Sequence, residues 1–210
     1  MVYVAMGFFL FNDKNYRTNS YLLTDHNGNL VIVDPTLNTV NEMLEPLDNE
    51  DSETVLAILL TSQYLPEYDG ISLLTQKYPN IDIYVGEQDL EGLRSELESN
   101  NIPTTNLKVL PDRIEIGELI FNNLATPGIS PGSVCIRYKK FLMTGDTLLD
   151  KDMFDLTVAG VDPVALKHSL EYIQTKIQPD YFICPKTGNI NRFNLVLRHN
   201  QVLNEFLKNH

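Results

Sequence analysis

The feature that most constrains this chain is a pattern that occurs twice: short apolar, strand-like segments followed by segments with helical spacing. A strand sends alternate side chains to two faces and a helix presents one stripe, so such a mixture buries its apolar surface by stacking helices on sheets. In the first half, residues 3–11, 21–24 and 30–33 read as strands. The last two are joined by a turn at Asp25, His26, Asn27 and Gly28, whose Asn-Gly pair is a strong hairpin signal. A helix over 39–47 with Asn38 as N-cap, a strand over 54–61, a helix around 71–78, a strand over 81–85 and a helix over 89–99 complete this half. The second half has strands at 108–109, 119–126, 134–138 and 140–144. Asp162 followed by Pro163 is a helix start, with Leu166, Leu170, Ile173 and Ile177 spaced along one face. A strand over 181–184 and a helix over 195–207 close the chain.

A length of 210 residues supports one sizeable core and is short for two domains, so one domain over 1–210 is expected. No apolar run approaches the roughly 20 residues that span a bilayer. The opening segment has neither a basic n-region nor a small-residue cleavage site, so it is expected to be a first strand in a cytoplasmic protein. The net charge of −12 argues against nucleic acid, because 16 scattered basic residues make no phosphate-tracking surface. The acidic runs at Asp48, Glu50 and Asp51 and from Glu87 to Glu98 read as solvated loops and helix faces. Cys135 and Cys184 lie in apolar strands without CxxC spacing and are expected to be buried thiols.

Five ordered landmarks then resemble the metallo-β-lactamase superfamily, in particular its glyoxalase II-like branch. Asn19–Ser20–Tyr21–Leu22–Leu23 followed by Val31–Ile32–Val33–Asp34–Pro35 resembles the family's opening hairpin. Leu59–Leu60–Thr61 opens the segment where the family carries H-x-H-x-D-H, and Asp69–Gly70 closes it. Residues 126–133, Thr-Pro-Gly-Ile-Ser-Pro-Gly-Ser, are similar to a TPGHTPGS loop. Met143–Thr144–Gly145–Asp146–Thr147–Leu148 is similar to a TGDTL strand end, and Cys184–Pro185–Lys186–Thr187–Gly188 lies where the family has CPGHG. The resemblance covers nearly the whole chain and implies an α/β fold, a four-layered αββα sandwich of the metallo-β-lactamase type.

It also implies where a dinuclear zinc site would lie. Zinc takes imidazole nitrogen, thiolate or carboxylate at about 2.0–2.3 Å and lowers the pKa of a bound water to roughly 7. The positions of the H-x-H-x-D-H ligands hold Ser62, Tyr64, Pro66 and Glu67. The histidine of the following loop is Ile129, the histidine of the last turn is Thr187, and the bridging aspartate alone persists, as Asp146. Ile129 coordinates nothing, Pro66 has lost its side-chain oxygen, and neutral hydroxyls are poor zinc ligands. His26 reads as a turn residue, His168 lies off its helix stripe, and His199 and His210 fall near the chain end, so none restores the set. Ser62 lacks a histidine base and makes no nucleophile pair with Tyr64 or Glu67. Asp146 is expected to bond neighbouring loops, for example backbone donors near Ser62 or Gly128.

The first expectation is therefore a catalytically degenerate pseudoenzyme without zinc or another cofactor, whose cleft binds a small molecule or a protein. The alternative is a hydrolase of esters, thioesters or phosphoesters with a single Mg, Mn or Fe ion held by Glu67 and Asp146, joined by Asp69 or Asp34. The third is a structural protein that forms a homo-oligomer. The chain is expected to lack the C-terminal helical domain with which glyoxalase II enzymes take up glutathione, so the resemblance carries no substrate class.

Overall fold

Alternation along a single strand shows how the layers stack. In β4 (Asn29–Val33), Leu30 and Ile32 join a cluster with Val40, Met43, Ile71, Leu74, Leu93 and Leu97 of three helices, whereas Val31 and Val33 meet Phe121, Ile136 and Met143 of a second sheet. The same division recurs in β10 (Val134–Tyr138): Ile136 faces the first sheet, and Cys135 turns to a third cluster with Leu166, Leu170, Ile173 and Phe206. Three apolar layers separate four layers of secondary structure, an αββα sandwich. The computed structural model describes residues 2–5, 7–45 and 54–209. The acidic residues Asp48, Glu50 and Asp51, the end of the helix expected to reach residue 47, and His210 lie outside the described residues.

The first sheet runs in sequence order: β1 (Val2–Ala5), β2 (Phe8–Asp13), β3 (Thr18–Thr24), β4, β5 (Thr54–Leu59), β6 (Asp82–Val85) and β7 (Leu107–Val109). Its first four strands are antiparallel and the last four parallel. The parallel crossovers carry α1 (Leu37–Leu44), α2 (Asp69–Lys77) and α3 (Leu90–Ser99), because parallel neighbours need a long return that a helix fills. The second sheet is ordered β13-β12-β11-β10-β9-β8, with β8 (Arg113–Ile116), β9 (Leu119–Ala125), β11 (Phe141–Gly145), β12 (Phe182–Pro185) and β13 (Asn191–Arg192). Strands β11 and β12 are parallel and are linked through α4 (Pro163–Lys176); α5 (Phe193–His199) and α6 (Gln201–Asn209) follow.

Several elements differ from the sequence reading. The single strand expected over 3–11 is two strands, because Gly7 turns the chain at φ 72°. Helix α1 is capped by Thr36, whose hydroxyl accepts from Thr39 N while the Thr39 side chain answers the Thr36 amide; Asn38 instead donates to Asp13. Strand β8 escaped notice although Arg113-Ile114-Glu115-Ile116 alternates, and β7 belongs to the first sheet. The last helix is broken at Asn200, which is fully buried. Its amide group donates to Leu149 O and Asp152 O, and its oxygen caps α6 by accepting from Leu203 N.

The start of α4 follows the sequence: Asp162 Oδ1 accepts from Val164 N at 2.9 Å and Ala165 N at 3.0 Å, with Pro163 at the first helical position. Asp162→Ala is expected to lower stability by about 1 kcal/mol in urea unfolding, with Asp162→Asn close to the parent. Equal losses for the two variants would show that the cap carries no such weight.

Candidate functional site

Each parallel pair of strands ends at one edge of the sandwich, and the residues just beyond those ends form a polar cluster. Asp34 follows β4, Thr61 follows β5, Asp146 follows β11 and Lys186 follows β12. Strand ends of this kind are where α/β sheets place ligand sites, since the backbone ladder has stopped and loops diverge. Asp34 adopts φ 49°, an uncommon conformation for a residue with a side chain. It turns its carboxylate onto Thr61, accepting from the amide at 2.9 Å and the hydroxyl at 2.6 Å. Burial pushes the Asp34 carboxyl above its usual range; the Lys186 ammonium and the Thr61 bonds oppose this, and the Asp146 charge adds to it.

Lys186 is the central residue. Its side chain is only 5% exposed, its ammonium stands 3.6 Å from Asp146 Oδ2, and it donates to the Tyr64 carbonyl at 2.5 Å. Its backbone is fixed from both sides: Lys186 N donates to Gly145 O at 2.9 Å and Lys186 O accepts from Asn19 N at 2.6 Å. Next to it, Pro185 O accepts from Asn19 Nδ2 and from the Tyr21 hydroxyl. Gly145 is required here, because at φ +54° a Cβ would stand 2.4 Å from Thr61 Oγ1.

The positions that the resemblance aligns with zinc ligands are dispersed in chemistry. Ser62 is buried and its Oγ accepts from Tyr64 N at 3.3 Å. Tyr64 is exposed at the rim, its hydroxyl reaching the loop around Gly160. Pro66 and Thr187 are exposed; Thr187 forms an isolated bridge to Thr18. Ile129 is 1% exposed and packs with Leu166 and Leu170 under α4. Glu67 lies at the start of two helices, one oxygen accepting from Leu37 N and the other from Asp69 N, both at 2.6 Å. The structure therefore brings Asp146 together with Lys186 and Asp34, and sends Glu67 to the N-termini of α1 and α2. The bonds expected from Asp146 to backbone donors near Ser62 or Gly128 are made by a different carboxylate.

That carboxylate is Asp89, read from the sequence as part of a solvated acidic run. Glu87, Glu91, Glu96 and Glu98 are exposed, but Asp89 has no exposure at all. It accepts from Gln63 N at 2.8 Å, Gly132 N at 2.8 Å and Ser130 Oγ at 2.5 Å, tying the segment after β5 to the loop that contains Ile129. Asp13 acts similarly on α1, accepting from Thr36 Oγ1 and Asn38 Nδ2; burial works against its ionised form, but these bonds and those from Asn15 N and Tyr16 N outweigh it and hold its carboxyl below the usual range. His168 and His199 are exposed and away from this cluster. Cys135 and Cys184 are free and buried, and burial pushes the Cys135 thiol up to about 12 and raises that of Cys184 as well. Among the described residues, no group of three or more His, Cys, Asp or Glu side chains is placed to hold a metal ion, and no helix is long and apolar enough to cross a membrane. A cleft of about 510 Å³ lined by Glu87, Asp112, Asn123 and Pro131 lies apart from Asp146 and Lys186.

No family model matches the chain. A hydroxyacylglutathione hydrolase of Klebsiella pneumoniae is 27% identical over 128 residues, 61% of this chain and 46% of that protein. The chain thus spans about half the length of the hydroxyacylglutathione hydrolases it matches. A protein of Methanocaldococcus jannaschii described as a probable metallo-hydrolase is 23% identical over 173 residues, 78% of this chain and 82% of its own. Among solved structures, the BLEG-1 B3 metallo-β-lactamase superposes with a TM-score of 0.78 at 24% identity, over 93% of this chain and 99% of the other. The layered sandwich with its site at the strand ends is the metallo-β-lactamase fold, as the sequence landmarks implied. In fold the chain is similar to metallo-β-lactamases, and in sequence to hydroxyacylglutathione hydrolases and a probable metallo-hydrolase.

The Asp89 hub yields a test of how the site's loops are held. Asp89→Ala removes one acceptor from three donors, two of them on the loop that contains Ile129, and is expected to cost about 3 kcal/mol or more in urea unfolding. Asp89→Asn, which keeps one carbonyl oxygen, should fall between. A loss below about 1 kcal/mol for the alanine variant would mean that other groups take over the three donors.

Proposed function

We propose that this chain is a catalytically degenerate metallo-β-lactamase-fold protein, a pseudoenzyme that does not assemble the dinuclear zinc site and whose cleft serves to bind a small molecule or a protein. The observation that carries this reading is Ile129. It stands where the resemblance places a histidine ligand, and its side chain is built into the apolar layer under α4 instead of facing the cleft. A hydrocarbon has no lone pair to offer, and turning it outward would expose a fully buried side chain. Ser62, Tyr64 and Thr187 supply neutral hydroxyls, and Pro66 supplies nothing. The residues present do not fit two zinc ions.

The geometry also weighs against a single ion held by Glu67 and Asp146. Both Glu67 oxygens are occupied by backbone amides at helix N-termini, where a carboxylate is favoured by the helix dipole. Asp146 faces an ammonium that a metal ion would have to displace. The hydroxyacylglutathione hydrolases among its relatives make a thioester the first substrate class to try.

Two measurements test the reading on protein purified without chelator. Elemental analysis is expected to find well under one equivalent of zinc, iron or manganese. Hydroxyacylglutathione thioesters and phosphodiesters are expected to turn over no faster than in buffer. One equivalent of tightly held metal, lost in Glu67→Gln or Asp146→Asn together with measurable hydrolysis, would overturn it. Retained binding is read by thermal shift, because a ligand that prefers the folded state raises its melting temperature.

A further inference from the structure

We propose that the Lys186 ammonium is itself the cation of this site, a tethered replacement for a metal ion that holds the strand-end carboxylates Asp146 and Asp34 in place. The proposal rests on the preceding reading in one respect, that the residues present do not assemble a metal centre. Two carboxylates lie within one electrostatic neighbourhood at the edge of the sandwich, Asp34 only 3% exposed and Asp146 only 11% exposed. Like charges so placed repel, and each has lost most of its water, so the arrangement needs a counter-charge of its own. In a metal-loaded member of the superfamily an ion would meet that need. Here the only basic side chain described in contact with Asp146 is Lys186, 5% exposed and 3.6 Å from Asp146 Oδ2.

The geometry fits a replacement better than an incidental ion pair. An incidental pair lies at the surface between two mobile side chains and contributes little. This one is enclosed on both sides, and the lysine backbone is clamped by Gly145 O and Asn19 N, so the reach of the ammonium is set by the fold. A lysine head is a compact charge with three donors. One donor goes to the Tyr64 carbonyl, and the charge acts on both Asp146 and Asp34. The single cation thereby joins the segment after β5, the end of β11 and the end of β12, three segments that present the former ligand positions. The position itself supports the idea: Lys186 stands where the resembling CPGHG turn has a glycine, so the cation enters at the same turn from which a histidine ligand is missing.

A double-mutant cycle in thermal unfolding of the full chain tests this, with Lys186→Met, Asp146→Asn and the double variant. Lys186→Met keeps much of the bulk and removes the charge, leaving buried carboxylates unanswered; its Tm is expected to fall by about 10 °C. Adding Asp146→Asn removes one of the stranded charges and should recover at least half of that loss. Lys186→Arg, which keeps the charge, should lose less than Lys186→Met. Lys186→Ala, which leaves both charge and volume vacant, should be stabilised by added propylammonium, while the parent is not. If Lys186→Met does not fold and the double variant does, the proposal is supported. A Lys186→Met variant as stable as the parent, losses that add without recovery, or a double variant that fails to fold as well would each overturn it. Bound zinc in the parent would sink the preceding reading whatever the cycle shows; a null cycle in a metal-free parent would sink this proposal alone.

Discussion

A carboxylate taken out of water must be answered by donors or by a cation, and much of this site follows from that constraint. Asp34 is answered by Thr61, Asp89 by Gln63, Ser130 and Gly132, Asp13 by Thr36 and Asn38, and Asp146 by Lys186. Each of these bonds joins segments that are distant in sequence or sets the start of a helix. The apolar layers determine how sheets and helices stack, but they are indifferent to the path of a loop beyond a strand end. The buried acids determine those paths. Asp89, for example, holds the segment after β5 against the loop that contains Ile129.

Much of the fold was legible because it rests on local signals. The strand patterns of 30–33 and 134–138, the turn at Gly28 and the Asp162–Pro163 helix start each combine a periodicity with a boundary residue, and the structure follows them closely. The misreadings have local causes too. Asn200 lies inside a run with continuous helical spacing, and nothing nearby in sequence announces that its side chain will serve Leu149 and Asp152. Thr36 and Asn38 are both acceptable caps by residue type; in the fold Thr36 caps α1, and Asp13 of β2 accepts from both side chains.

The site was legible only in outline. A ligand pattern draws attention to Ser62, Tyr64, Pro66, Ile129 and Thr187, residue by residue. It does not draw attention to Lys186. Lys186 follows an apolar strand and a proline, a place where a lysine without a partner would be costly, and that cost was the available signal. Asp89 carried no comparable signal, since four neighbouring acids in the same run are solvated and the donors that set it apart, on Gln63, Ser130 and Gly132, come from distant segments. Glu67 misleads for a related reason: a glutamate in a ligand segment looks like a donor to metal, while its helix-start environment makes it an acceptor from amides.

Charge and connection at these strand ends have separate sources. An ion at the junction of several loops supplies both charge and connection, and its removal leaves two deficits. In this molecule the charge is supplied by one ammonium at the strand ends, and the connection is supplied by buried acids that bond backbone amides across the same loops. Neither rests on an imidazole, and Ile129 adds buried apolar area under α4. Tyr64 lies exposed beside this junction, its hydroxyl close to the loop at Gly160.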